Sequence, residues 1–326
     1  MEYRQFGRIG RDVSVVGLGA WQLGADWGEV STDDALATLD AAVDAGATVI
    51  DTADVYGDGR SEQVIGQFLH RRPESIMVAT KMGRRVPQEH ANYTAANFKA
   101  WTDRSRANLG VDRLDLVQLH CPPTAVFQDD QIFDALDGLV DNGAIAAYGV
   151  SVETVDQALI AIARPRVASV QIIFNAFRLK PLDRVLPAAQ AAGVGIIARV
   201  PLASGLLSGR YDAHTTFGAD DHRNYNRHGE AFDAGETFSG VDFETGLRAV
   251  ERLRPYVPAG MTMAQFALRW VIDQPGVTVV IPGARGPEQA RGNLATAELP
   301  ALPQAALAGV RETYDELIRP AVHDRW

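Results

Sequence analysis

The sequence predicts an α/β chain folded as a (β/α)8 TIM barrel with an N-terminal β-hairpin and two extra helices. Two observations carry that expectation. Eight short apolar runs, most of them β-branched, alternate with eight amphipathic segments of helical period along 326 residues. The runs are apolar almost throughout, as parallel strands covered on both faces require. Eight strand–helix units in register close into a barrel, a fold that absorbs residues 1–326 as one domain.

In chain order, Met1–Asp12, with Gly7-Arg-Ile-Gly10 at its centre, reads as the hairpin. The predicted strands are Ser14–Leu18, Thr48–Thr52, Ile76–Lys81, Leu114–His120, Ala146–Ser151, Ser169–Phe174, Gly195–Val200 and Thr278–Pro282. The helical segments are Thr32–Ala45, Glu62–Arg71, Thr94–Leu109, Asp130–Asn142, Val155–Arg164, Leu182–Ala192, Met263–Asp273 and Pro287–Ala297. Ser31 and Ser61 stand where N-caps belong, and Gly46, Gly110, Gly143 and Gly193 where helices should end. Phe243–Val257 and Gln304–Leu317 are the two helices beyond the eight units. Residues 203–241, after the seventh strand, form a long loop rich in Gly, Asp, His and Asn, a length more often functional than idle.

A formal charge of −10 argues against general attraction to nucleic acid or an anionic membrane. Any phosphate site must be a local basic cluster. Cys121 is the only cysteine, which excludes an internal disulfide and a cysteine-based zinc site. The first residues lack the apolar core of a signal peptide, and no apolar run is long enough for a bilayer, so the expected location is the cytoplasm. No extended apolar stripe marks a subunit interface.

Barrel enzymes place their chemistry at the C-terminal ends of strands. Asp51 ends the second predicted strand, Lys81 the third and His120 the fourth, while Tyr56 follows the second. Singly, each has a plainer role: a turn cap, a solvated lysine, a core histidine, a packing aromatic. On adjacent strand ends of one barrel they converge. A tyrosine so surrounded delivers a proton to a carbonyl oxygen while a hydride reaches the carbon. Free tyrosine titrates near roughly 10, and an adjacent ammonium lowers that value. Asp51 keeps a buried Lys81 charged, and His120 orients the carbonyl or shares in proton delivery.

Cys121 invites a nucleophile, but strand alternation turns it towards the helix layer, so it reads as a buried structural thiol. His222 and His228, near Asp220 and Asp221, read as parts of an acidic mobile lid; no metal site is expected. Gly17-Leu-Gly19 is followed by Gln22 where a dinucleotide fingerprint needs its third glycine, so no Rossmann site is expected. Arg285, Gln289, Arg291 and Asn293 lie at the last barrel helix, a region that commonly holds a phosphate in barrels.

Asp51-Thr-Ala-Asp-Val-Tyr-Gly57, Ala79-Thr-Lys81 and Leu119-His120 resemble the tetrad strings of the aldo-keto reductase superfamily. Gly17-Leu-Gly-Ala-Trp21, Tyr148-Gly-Val-Ser151, Ser169-Val-Gln171, Pro201-Leu-Ala-Ser-Gly-Leu-Leu-Ser-Gly209 and Val280-Ile-Pro-Gly-Ala-Arg285 extend the resemblance over nearly the whole chain. The bacterial and plant-type branch fits best. The resemblance implies reversible, NADPH-dependent reduction of a small aldehyde, ketone or sugar, with Tyr56 as proton donor. It further implies that Ser151 and Gln171 hold the nicotinamide carboxamide and that Leu202, Gly205 and Leu207 follow the pyrophosphate. Gly283 would be a further cofactor-binding residue, Arg285 would contact the 2′-phosphate, Gln289 and Asn293 would lie toward the adenine end, and Trp21 would line the substrate pocket. Arg199 falls where many members stack an aromatic on nicotinamide, and a guanidinium also stacks on a flat ring. Val152 and Gly292 likewise replace a usual Asn and Glu. Two other readings stand beside this one: a barrel lyase in which Lys81 forms a Schiff base, and a cofactor-sensing subunit with little turnover.

Overall fold

Hydrophobic runs of five to seven residues separated by capped helices leave the chain few ways to bury its apolar faces, and it takes the predicted one. The computed structural model describes residues 1–24 and 30–326. Strands β1 (Tyr3–Phe6) and β2 (Arg11–Ser14) pair antiparallel. Strands β3 (Leu18–Gly19), β4 (Val49–Asp51), β5 (Met77–Met82), β6 (Leu114–His120), β7 (Ile145–Ser151), β8 (Val167–Ile173), β9 (Gly195–Arg199) and β10 (Val279–Val280) form one parallel sheet in sequence order. Parallel bridges from Val16 to Val280 and from Gly19 to Gly283 join its first and last members and close the ring.

Helices Thr32–Asp44, Arg60–Leu69, Ala95–Leu109, Asp130–Asp141, Val155–Ile162, Pro181–Ala192, Met263–Ile272 and Pro287–Leu294 alternate with these strands. The extra helices are Phe243–Leu253 and Gln304–Thr313. Ser31 accepts from the Asp34 amide as an N-cap, and Gly110 and Gly193 end their helices with φ of 66° and 65°. Among the described residues, no helix is long and apolar enough to cross a membrane.

Two of the differences from the expected boundaries have a local cause. Ser14 closes the hairpin instead of opening the first barrel strand: its amide donates to Thr48 Oγ1 at 2.8 Å and its hydroxyl to the Val16 carbonyl at 2.8 Å. The hairpin therefore runs past residue 12, and the first barrel strand shrinks to Leu18–Gly19. Ser61 is not an N-cap. Gly59 takes that position at φ 97°, and Ser61, inside the helix, donates to the Ala20 carbonyl at 2.9 Å.

Alternation divides the barrel interior into two zones. Below, Val49, Met77, Ala79, Leu116, Ile197 and Val279 pack with Phe6 and Val13 of the hairpin, which plugs that end. Two residues further along several of these strands the inward positions turn polar: Asp51, Lys81, Gln118 and Arg199. Residues 203–241 are structured, with turns at Ala203–Ser208, Ala234–Glu236 and Phe238–Gly240 and a short helix at His222–Tyr225.

Candidate active site

The polar zone is wired together by direct hydrogen bonds. Lys81 Nζ donates to Asp51 Oδ2 at 2.6 Å, to the Thr52 carbonyl at 2.9 Å and to the Tyr56 hydroxyl at 3.4 Å. Asp51 Oδ1 accepts from Gln171 Nε2 at 2.7 Å and from Gln118 Nε2 at 3.4 Å. The His120 ring meets Tyr56 edge-on, with centroids 6.0 Å apart. Thus the four side chains expected to converge do meet, with Gln118 and Gln171 holding the carboxylate. Behind Tyr56 the chain turns at Gly57, φ 57°, where a Cβ would lie 2.1 Å from the Gly24 carbonyl oxygen. Arg85 and Arg104 fix the following Asp58 at 2.7 and 3.0 Å.

Burial pulls the Lys81 ammonium down, but Asp51 and Tyr56 outweigh it and leave its pKa above the ordinary lysine value. The phenol corrects the sequence expectation. Burial raises the Tyr56 pKa, Lys81 lowers it, and Asp51 and Glu236 raise it again, so it ends above 10.0. His120 is driven well below 6.5 by burial and by the charges of Arg84, Lys81 and Arg199; it is a neutral imidazole.

A cavity of ≈ 740 Å³ opens over this set. Trp21, Asp51, Tyr56, His120, Ser151, Gln171, Arg199, Leu202, Gly205, Gly283, Arg285, Gln289 and Asn293 all line it. Lys81 stands behind Tyr56, 1% exposed. Leu207 does not face the cavity: left-handed φ values of 54° and 95° at Ser204 and Gly205 redirect the chain, and its side chain is buried in the core.

The sequence reading missed part of this wall. Trp21 stacks on Tyr56 at 5.9 Å and packs against His222 at 5.3 Å and Phe232 at 6.0 Å. His222 is therefore a buried wall residue, not part of an acidic lid, and burial lowers its pKa to about 4. Cys121 also departs from expectation. The strand ends at His120, Cys121 adopts φ 50°, and its thiol points at Ser151 Oγ (3.4 Å) and Arg199 Nη2 (3.6 Å) rather than the helix layer. Burial pushes that thiol up to about 12. Among the described residues, Cys121, Glu153 and Glu236 have ligand-type atoms within 4.8 Å of one another. The Arg199 guanidinium supplies the positive charge between the two carboxylates, donating to both.

At its other end the cavity is bordered by Arg210, Arg285, Gln289 and Asn293 beside the start of helix Pro287–Leu294. That helix has Gly286 as N-cap with no side-chain cap, so its first-turn amides and their dipole suit an anion. Gln289 Oε1 accepts from the Arg285 amide at 3.0 Å and Asn293 Nδ2 donates to the Gly283 carbonyl at 3.1 Å.

A closed barrel with a Tyr–Lys–Asp–His set under a long cavity defines a class of oxidoreductase, and comparison with known proteins finds the same class. The aldo/keto reductase family model matches residues 15–315. The aldo-keto reductase YhdN of Bacillus subtilis is 30% identical over 298 residues, 89% of this chain and 86% of that protein. The glycerol dehydrogenase AKR11B4 from Gluconobacter oxydans superimposes with a TM-score of 0.77 at 30% identity, covering 98% of this chain and 96% of that one. An aldo-keto reductase from Klebsiella pneumoniae in complex with NADPH gives a TM-score of 0.71 at 25% identity, covering 96% and 95%. The chain belongs to the aldo/keto reductase family.

Proposed function

We propose that this protein is an NADPH-dependent reductase of small aldehydes and ketones, sugars among them, able to run in either direction, with Tyr56 as the proton donor. One observation carries the reading: the Lys81 ammonium bridges Asp51 and Tyr56 at the cavity base beside a neutral His120.

The cavity fits the cofactor. Its ≈ 740 Å³ lies within the roughly 300–1,000 Å³ of ligand sites. Its inner end offers the amide and hydroxyl of Gln171 and Ser151, 3.5 Å apart, for a carboxamide. Arg285 and the uncapped helix start suit a phosphate, with Gln289 and Asn293 beside them for a purine. Leu202, Gly205 and Gly283 line the stretch of cavity between these ends. A bound reduced nicotinamide supplies the hydride. The protein's own part is to hold the carbonyl oxygen between the Tyr56 hydroxyl and the His120 ring, and to give that oxygen the phenol's proton. Lys81 stabilises the phenolate left behind, and Asp51 keeps Lys81 charged. Trp21, His222 and Phe232 wall the space above Tyr56 with flat apolar surface, which suits an uncharged substrate.

The Schiff-base reading is disfavoured by the same geometry. Lys81 donates to three acceptors, its charged form is favoured, and it does not border the cavity. A cofactor sensor without turnover would have no need of this proton-donating set. Tyr56→Phe should cut turnover of a simple aldehyde by about a hundredfold or more while NADPH still binds. Activity within a few-fold of the parent enzyme would remove Tyr56 from its role.

A further inference from the structure

Arg199 ends β9 inside the barrel with its side chain 8% exposed, between two carboxylates that are 15% and 11% exposed. Nη2 lies 3.0 Å from Glu153 Oε2 and donates to the Val152 carbonyl at 3.0 Å, while Nη1 donates to Glu236. Arg84 Nη2 approaches Glu153 Oε1 at 3.6 Å, giving two cations and two anions in one largely buried array. Arg84, Arg199 and Glu236 border the same cavity as Tyr56 and His120. Buried ion arrays are seldom the most stable way to fill space, so stability alone does not explain this one.

The cofactor's two forms differ at the ring by one positive charge. Fixed charges near the ring therefore discriminate between them through unscreened Coulomb interaction. Around Tyr56, Lys81 and Asp51 cancel and His120 is neutral. The local balance then rests on the Arg84–Glu153–Arg199–Glu236 array, which pairs two guanidinium with two carboxyl groups, and on the Arg178 and Asp233 pair beside it, which adds one of each sign. Glu236 alone among the four comes from the 203–241 excursion.

We propose that Glu236, paired with Arg199, determines this enzyme's preference between the oxidised and reduced cofactor: its negative charge offsets the guanidinium so that the cationic ring of NADP+ is tolerated. The inference rests on the cofactor reading above. Removing that charge leaves the array net positive and biases the enzyme towards holding NADPH.

A plain loop tether is the rival explanation, and the structure separates the two. The Glu236 carbonyl accepts from Ser204 Oγ at 2.9 Å, and the Phe238 amide donates to the same hydroxyl at 3.0 Å. These backbone ties survive Glu236→Gln. The test is equilibrium titration with NADP+ and with NADPH separately, without substrate, following quenching of protein fluorescence in the parent enzyme, Glu236→Gln and Glu153→Gln. Glu236→Gln should raise the Kd for NADP+ about tenfold and leave that for NADPH within about twofold. Glu153→Gln, which removes charge from the other side of the same guanidinium, should move the ratio in the same direction. Equal weakening of both forms, or no change in either variant, overturns the inference and leaves the cofactor site intact. A parent enzyme that binds neither form overturns the cofactor reading itself.

Discussion

Asp54, three residues past Asp51, is a carboxyl with no place for its charge. It is fully buried, and neither oxygen has a hydrogen-bond partner among the described residues. Burial first, then the neighbouring Glu62, push its pKa to about 7 against the pull of Arg85, Arg104 and Lys81. Unfolded, the same group titrates near 3.8. Between those values the folded chain holds a proton that the unfolded chain has lost, so stability falls as pH rises from about 4 to about 7. At about 1.4 kcal/mol per pH unit, the effect has a ceiling of about 4 kcal/mol. Asp54→Asn should remove this slope: its urea midpoint should exceed the parent's at pH 8 and match it near pH 4. Parallel pH profiles for the two proteins would show that the carboxyl is solvated after all. The same residue scale shows what a sequence can disclose. Asp51, Lys81 and His120 were legible because each ends a predicted strand, the end at which a barrel carries its chemistry. His222, Phe232 and Glu236 were not, because only the three-dimensional path of residues 203–241 brings them to the wall.

At the scale of elements, β7 and β8 slip register between Tyr148 and Gly149. Strand pairing is that close because Gly149 has no side chain: a Cβ there would lie 2.0 Å from Ser169 Oγ and 2.7 Å from the Ser169 carbonyl oxygen. Two residues on, Ser151 pairs with Gln171 on one side and His120 on the other. Gly149→Ala should therefore push β7 off β8, destabilise the fold by about 1–3 kcal/mol, and displace Ser151 from Gln171. Chemical denaturation and NADPH titration together check this; unchanged affinity in a destabilised protein would separate Ser151 from the cofactor. Strands such as Leu114–His120 were readable because Leu114, Leu116, Val117 and Leu119 supply apolar side chains to both faces, as a covered parallel strand requires. The hairpin's end was not, since Val13 through Leu18 reads as continuous while the turn at Ser14 depends on Thr48, distant in sequence. The excursion's turns were hidden for the same reason. Asn226 Oδ1, for one, accepts from the Ala231 and Phe232 amides, a contact no composition announces.

For the whole molecule, the question is what fastens that excursion to the barrel. Trp326 is 7% exposed and lies over the Arg178 guanidinium, 3.6 Å from its ring centroid. Its Nε1 donates to Asp233 Oδ1 at 2.9 Å, three residues before Glu236. Arg178 follows β8, so one indole joins the barrel, the excursion and the far end of the sequence. Room for it comes from Gly235 and Gly240, where added Cβ atoms would approach the ring at 3.2 and 2.4 Å. Neither terminal nitrogen of Arg178 has a hydrogen-bond partner among the described residues, and burial lowers its pKa to about 9. The face of the indole and the nearby Asp233 carboxylate together compensate that cation. Trp326→Ala removes the indole, opens a cavity beside a buried charge and frees Asp233. The expected loss is about 3–5 kcal/mol in chemical denaturation, the usual range for a buried tryptophan truncated to alanine. Because the lost contacts reach the excursion, limited proteolysis should also accelerate within residues 203–241 while barrel strands stay protected. A variant that loses less than about 1 kcal/mol and is cleaved no faster would mean that Ser204 and the aromatic residues hold the excursion without help from Trp326.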